Sequence, residues 1–306
     1  MLPLPVDLQW NVDGPTSDLG RVVYEWLDGA SAQLLPAARK AMSPLSARVS
    51  RSLGAPGSTF GVLAVTRGGV DVPPKTRERT CSDTGFAWLK KELVCLPDMV
   101  TLQIGTFDER GHRARRHLVL SARTHPASPG WVRLALLGSD ESLDGSDSSL
   151  DVQRAWLDVL HGHASTWDPG FGHISYSYGL GATGLEDCLP PGDYPPQQRD
   201  PEHTVNDCRR YLRGYSWLTI VPKELVARLG GIDELRATSA FARVEQLASG
   251  ALWLKATERF EDYRGEAVHG VFDALAPVLR PGLPVPTPRR DDQPPHLLVF
   301  EDAASR

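Results

Sequence analysis

The sequence predicts an α+β protein, with antiparallel or mixed sheet and helices packed on one face. Three observations carry that expectation. Runs with two-residue alternation, such as VTLQIGTF and WVRLALLG, are interleaved with helical-period stretches, such as Val152, Trp156, Val159 and Leu160. At least two strand pairs are joined by turns too short for the crossovers of a doubly wound sheet. With 41% hydrophobic and 23% charged residues over 306 positions, the chain has apolar material for a sizeable core and is neither a disordered tail nor a fibrous repeat.

Taken in order, Asp18 to Leu34 reads as a helix because Val22, Trp26 and Ala30 share one face. Thr59 to Thr66 is a short strand ending at the Gly68-Gly69 turn. Asp83 is placed to N-cap a helix carrying Phe86, Leu89 and Leu93. From Met99 three strands follow as a meander, VTLQIGTF, HLVLSA and WVRLALLG, the first two joined across DERGHRARR. After the helix of Val152 to Leu160, GHISYSYG is a strand, and Gly179 to Arg210 is a long loop with five prolines. YSWLTIV is a strand and PKELVARLGG a helix, with Pro222 in its first turn and Gly230 as C-cap. A further helix starts at IDELRA, and FARVEQL and ALWLKAT form a hairpin about Ala248-Ser249-Gly250. A helix from Glu266 to Leu279 and a terminal strand, HLLVFED, complete the chain.

These elements divide the chain into an N-terminal α/β segment (1–96), a meander plus helix (97–180), the Pro-rich loop (181–210) and a C-terminal β-α-β-β-α half (211–306). The meander and the C-terminal half are similar in make-up, which leaves a duplication open, but they share no residue-level similarity.

The net charge of −5 argues against a general nucleic-acid binder, no stretch is long and apolar enough to span a membrane, and the N-terminus has no signal-peptide pattern. A cytoplasmic protein is expected, with Cys81, Cys95, Cys188 and Cys208 reduced.

Catalytic signatures are weak. His161, His163, Asp168 and His173 fall within thirteen residues and would be the place for a hydrolase or metal site, but His161 and His163 two apart on a helix point to different sides. Helix-end imidazoles followed by an Asp-Pro-Gly turn explain them without chemistry. Cys188, His203 and Cys208, with Asp187 or Asp207, lack ligand-knuckle spacing. GLGATG lacks the Lys-Ser/Thr of a phosphate loop, and Glu258, Glu261 and Asp262 fit helix N-terminal charge. No metal and no cofactor are expected.

Charge segregation is the stronger signal. Asp140, Glu141, Asp144, Asp147 and Asp151 follow one another without a Lys or Arg, and such a loop can steer a basic partner. Aromatic residues gather about the long loop, among them Tyr194, a residue type over-represented in binding hot spots.

Arg213 to Gly231, RGYSWLTIVPKELVARLGG, followed by FARVEQLASGALWLKATERFEDY, resembles bacterial immunity proteins of polymorphic and type VI toxin systems. Those proteins carry an R-G-x-x-W-L-T strand, a Pro-led helix ending L-G-G and a hairpin leading to L-x-A-T. The resemblance covers the C-terminal third. It implies a non-catalytic protein that binds and blocks a cognate protein toxin, with partner contacts expected at Asp140, Glu141, Asp144, Asp147 and Tyr194.

Overall fold

A computed structural model of the protein describes residues 3–42, 54–69, 72–124, 126–143, 147–189, 201–286, 288–290 and 292–306. It is α+β, and every described strand pairing is antiparallel. The chain forms two compact units: a first of Met1–Asp13, Pro126–Ser128 and Ser139–Arg306, and a second of Gly14–His125 and Pro129–Gly138. Each unit therefore draws on more than one of the segments read from the sequence.

Strand β1 (Pro5–Asp13) belongs to the first unit, and the chain then builds the second. That unit holds α1 (Thr16–Leu34), α2 (Pro36–Met42), β2 (Thr59–Gly69), β3 (Val72–Thr80), α3 (Asp83–Glu92), β4 (Met99–Phe107), β5 (Arg113–Arg123) and β6 (Trp131–Ser139), in the strand order β3-β2-β4-β5-β6. Register places Leu63, Leu102, Leu120 and Leu136 in one cross-strand row, all buried. The expected helical face of α1, Val22, Trp26 and Ala30, is buried, and Trp26 Nε1 donates to Ser121 O of β5. The N-cap of α3 is Ser82, one residue earlier than expected, because its hydroxyl accepts from Gly85 N.

Strand β3 is absent from the sequence reading. Pro73, Pro74, Lys75, Arg77, Glu78 and Arg79 read as loop, and all are exposed. It is the outer strand of this unit, where charge and proline discourage pairing with another chain.

The chain re-enters the first unit with α4 (Asp147–Thr166), β7 (Pro169–Tyr176), α5 (Gly184–Cys188), α6 (Pro201–Thr204), β8 (Leu218–Val221), α7 (Lys223–Val226), α8 (Ile232–Ala237), β9 (Arg243–Gln246), β10 (Leu252–Lys255) and α9 (Glu266–Leu275). The strand order is β1-β7-β8-β10-β9. Gly230, with φ 74°, closes the turn that continues α7, a left-handed conformation that favours glycine. The hairpin about Ala248-Ser249-Gly250 is present as β9 and β10. The last helix stops at Leu275, where Pro277 cannot continue the backbone hydrogen bonds and a 3-10 turn, Ala276–Val278, follows. HLLVFED is not a strand: Val299 N is satisfied by the Tyr215 hydroxyl at 2.7 Å instead of by a neighbouring strand.

Both faces of β1 are buried. On one face the register aligns Leu8, Ile174 and Leu218, then Trp10, Gly172, Ile220 and Trp253, and α4 packs here, with His163 against Trp10 and His161 against Trp253. The opposite face is polar. Asp7, Gln9 and Asn11 alternate along β1, Gln9 lies across from His173 and His173 from Thr219, and all five are buried.

Candidate functional site

A buried polar sheet face needs partners, because an unpaired polar group out of water costs roughly 1 to 3 kcal/mol. The segment after β7 supplies one, Arg213, for Asn11 Oδ1, whereas Asp7 Oδ1 and His173 Nε2 have no hydrogen-bond partner among the described residues. Thr183 caps α5 in a reciprocal capping box with Glu186, and Glu186 takes two hydrogen bonds from Arg213, Nε at 2.8 Å and Nη2 at 2.9 Å. Arg213 Nη1 donates to Asn11 Oδ1 at 2.6 Å, Nη2 to Gly181 O at 2.9 Å, and its guanidinium lies 5.2 Å from the Phe171 ring centre. The Arg213 side chain is 0% exposed and that of Glu186 3%. Gly214 must lack a side chain, since a Cβ there would stand 2.7 Å from Thr183 Cβ and Oγ1. The R-G-x-x-W-L-T stretch is thus structural throughout. Trp217 is buried and donates to Thr257 O at 3.0 Å, and Thr219 Oγ1 accepts from Ser216 N.

His161, His163, Asp168 and His173 occupy four separate neighbourhoods. His161 pairs with Glu245 at 2.9 Å. Half-buried His163 lies on Trp10, and burial pushes its pKa down to about 4. His173 is 3.4 Å from Asp7 Oδ1, and Asp168 binds Lys223 at 2.7 Å and Arg209 at 3.4 Å. No group of three possible metal ligands includes any of the four among the described residues.

The His163 shift has a thermodynamic sign. Its pKa falls on folding, so between about pH 6.5 and 4 the unfolded chain takes up a proton that the folded chain refuses. The contribution is full above pH 6.5 and is lost as pH falls toward 4, up to about 3 kcal/mol. Urea midpoints measured across that window should fall with pH in the wild type and fall less in His163→Gln.

One trio of possible ligands does converge among the described residues: Asp187, Cys188 and His296. It is already satisfied. Asp187 accepts from His296 Nε2 at 2.8 Å and from Arg289, and these hold its carboxyl below the usual range. Burial, then the Asp187 charge, pushes the Cys188 thiol up to about 12, so little thiolate is present at neutral pH. His296 stacks on Tyr178, with ring centres 5.4 Å apart. A cation would have to displace the Arg289 guanidinium, so elemental analysis of the purified protein should find less than about one-tenth equivalent of zinc. The other set considered from sequence, Cys188 with His203 and Cys208, is not brought together.

The segment between α6 and β8 carries a second charged arrangement. Leu212 N donates to Val278 O at 2.8 Å and pairs as a parallel bridge with Leu279, which ties the segment beside the exit of α9. Arg209 is held by Asp13, Asp168 and Glu224. The next residues differ: the guanidinium carbons of Arg210, Arg228 and Arg280 lie 5.2, 5.7 and 5.3 Å from the centre of the Tyr211 ring. Arg280 pairs with Asp207 at 3.0 Å.

Charge is divided between the units. The first holds 28 acidic and 16 basic residues, net −12; the second holds 10 acidic and 17 basic, net +7. Of the acidic stretch, Asp140 accepts from Leu4 N at 2.8 Å, Glu141 is exposed, and Asp147 opens α4. Asp144 and Tyr194 lie outside the described residues.

No helix among the described residues is long and apolar enough to cross a membrane. No protein-family model matches the chain, and no curated protein does. A comparison with solved structures returns protein Ms6760 from Mycobacterium smegmatis, at 14% identity over 54% of this chain and 85% of that one. Its TM-score is 0.19, too low for the likeness to bear on fold or function.

Proposed function

We propose that this chain is a cytoplasmic immunity-type protein that neutralises a cognate protein toxin by direct binding, without catalysis. The observation that carries the reading is the resemblance of Arg213 to Gly231 and the hairpin after it to such proteins, in a stretch whose strand, Arg213 to Val221, is buried and serves packing. A stretch with that role is a scaffold, and function then belongs to the surfaces around it. The charge of the first unit supports the same reading, since a net −12 draws in a basic partner from a distance.

Exposed Glu141, with Asp144 and Asp147, is the steering element in this reading, and Tyr194 an anchor. Changing Glu141→Gln, Asp144→Asn and Asp147→Asn together should slow association several-fold at low salt and flatten its salt dependence. Stopped-flow kinetics at two ionic strengths would show it.

The reading is tested by co-expressing the chain with a secreted toxin encoded next to its gene. A stable one-to-one complex and restored growth are expected. Growth restored without a complex would overturn it.

A further inference from the structure

Three guanidinium groups around one tyrosine ring are an unusual use of charge in a unit of net −12. Like charges at such separations repel unless counter-charge is near. Asp207 supplies one carboxylate, to Arg280. Arg228 is held in place by two backbone carbonyls, Arg210 O and Pro277 O, which orient it without neutralising it. The Arg210 guanidinium has no hydrogen-bond or ion-pair partner among the described residues and rests on the ring alone. Two positive charges are left over, and Arg210 and Arg228 are exposed.

We infer that Arg210, Arg228 and Arg280, gathered on Tyr211, form a carboxylate-binding site that takes acidic side chains of the protein partner. This rests on the proposed binding function. Planar guanidinium forks match a carboxylate with paired hydrogen bonds, and cation–π contact with the tyrosine ring holds them near one another at little entropic cost. Arginine and tyrosine are also the residue types that dominate binding hot spots. The division of labour follows: the acidic unit attracts a basic partner, and this positive islet fixes its register by accepting an acidic spot on it. Because the islet is a surface and not an enclosed cavity, a macromolecular carboxylate fits it better than a free small anion.

The first arm of the test needs no toxin. Arginine Nε–H NMR signals are followed while hexaglutamate or inorganic phosphate is titrated at low ionic strength. Saturable shifts of the Arg210 and Arg228 signals with hexaglutamate are expected, weakened at least tenfold in Arg210→Gln. That variant breaks no hydrogen bond of the guanidinium, so loss of folding is not expected to mask the result. No shift, or saturation by phosphate with none by hexaglutamate, overturns the inference. In the second arm, dissociation of the toxin complex should be at least tenfold faster for Arg210→Gln. An unchanged rate sinks the inference and leaves the binding function standing. Hexaglutamate binding with no toxin complex at all would sink the binding function and leave a carboxylate site.

Discussion

Replacing Arg213 with alanine is expected to destabilise the protein by about 3 to 5 kcal/mol, the cost of stranding a buried charge. Glu186, its partner, is 3% exposed, so the carboxylate would lose both charged hydrogen bonds with little access to water. Asn11 Oδ1 and Gly181 O would lose donors as well. The effect reaches beyond the pair, because Arg213 joins the segment after β7 to the polar face of β1. Urea denaturation would measure it. Removing both partners, as Arg213→Met with Glu186→Met, should cost less than the sum of the single changes, because no lone charge is left. A single change within about 1 kcal/mol of wild type would mean that the pair is solvated.

Trp217→Ala should cost a similar amount, about 3 to 5 kcal/mol, for a different reason. The indole is 1% exposed, edge-on to Phe260 at 5.6 Å, and bonded through Nε1 to Thr257 O. Truncation leaves a cavity and an unpaired carbonyl together. Trp217→Phe keeps most of the apolar volume and should recover about half of the loss. A denaturation midpoint for Trp217→Ala equal to wild type would place the side chain on the surface.

Periodicity made the long apolar elements legible. Val22, Trp26 and Ala30 share a buried helix face, and VTLQIGTF pairs along its length. Local chemistry also placed Gly230 at its left-handed turn. What the sequence hid is whatever depends on distant residues. Strand β3 has no apolar alternation because it is an edge, and its charges read as loop. Val299 N finds its acceptor 84 residues away, so a β-like terminal run is not a strand. Arg213 and Glu186 are 27 residues apart across the Pro-rich segment, and neither type signals burial when read alone. Asp187 and His296 are 109 apart. Opposite charge on the two units was averaged into −5 because the first unit is discontinuous, with β1 at one end of the chain and most of its remaining strands beyond Ser139.

The central claim is that protection comes from binding and not from turnover, and the stoichiometry of protection tests it most directly. A fixed amount of the proposed partner, a toxin sought beside this gene, is titrated with purified protein and its residual activity is read. Binding predicts a linear fall to zero that ends at one equivalent, with the toxin recovered chemically intact on denaturing the complex. Complete loss of toxin activity at a small fraction of an equivalent, with the toxin covalently altered, would contradict it and make the chain an enzyme.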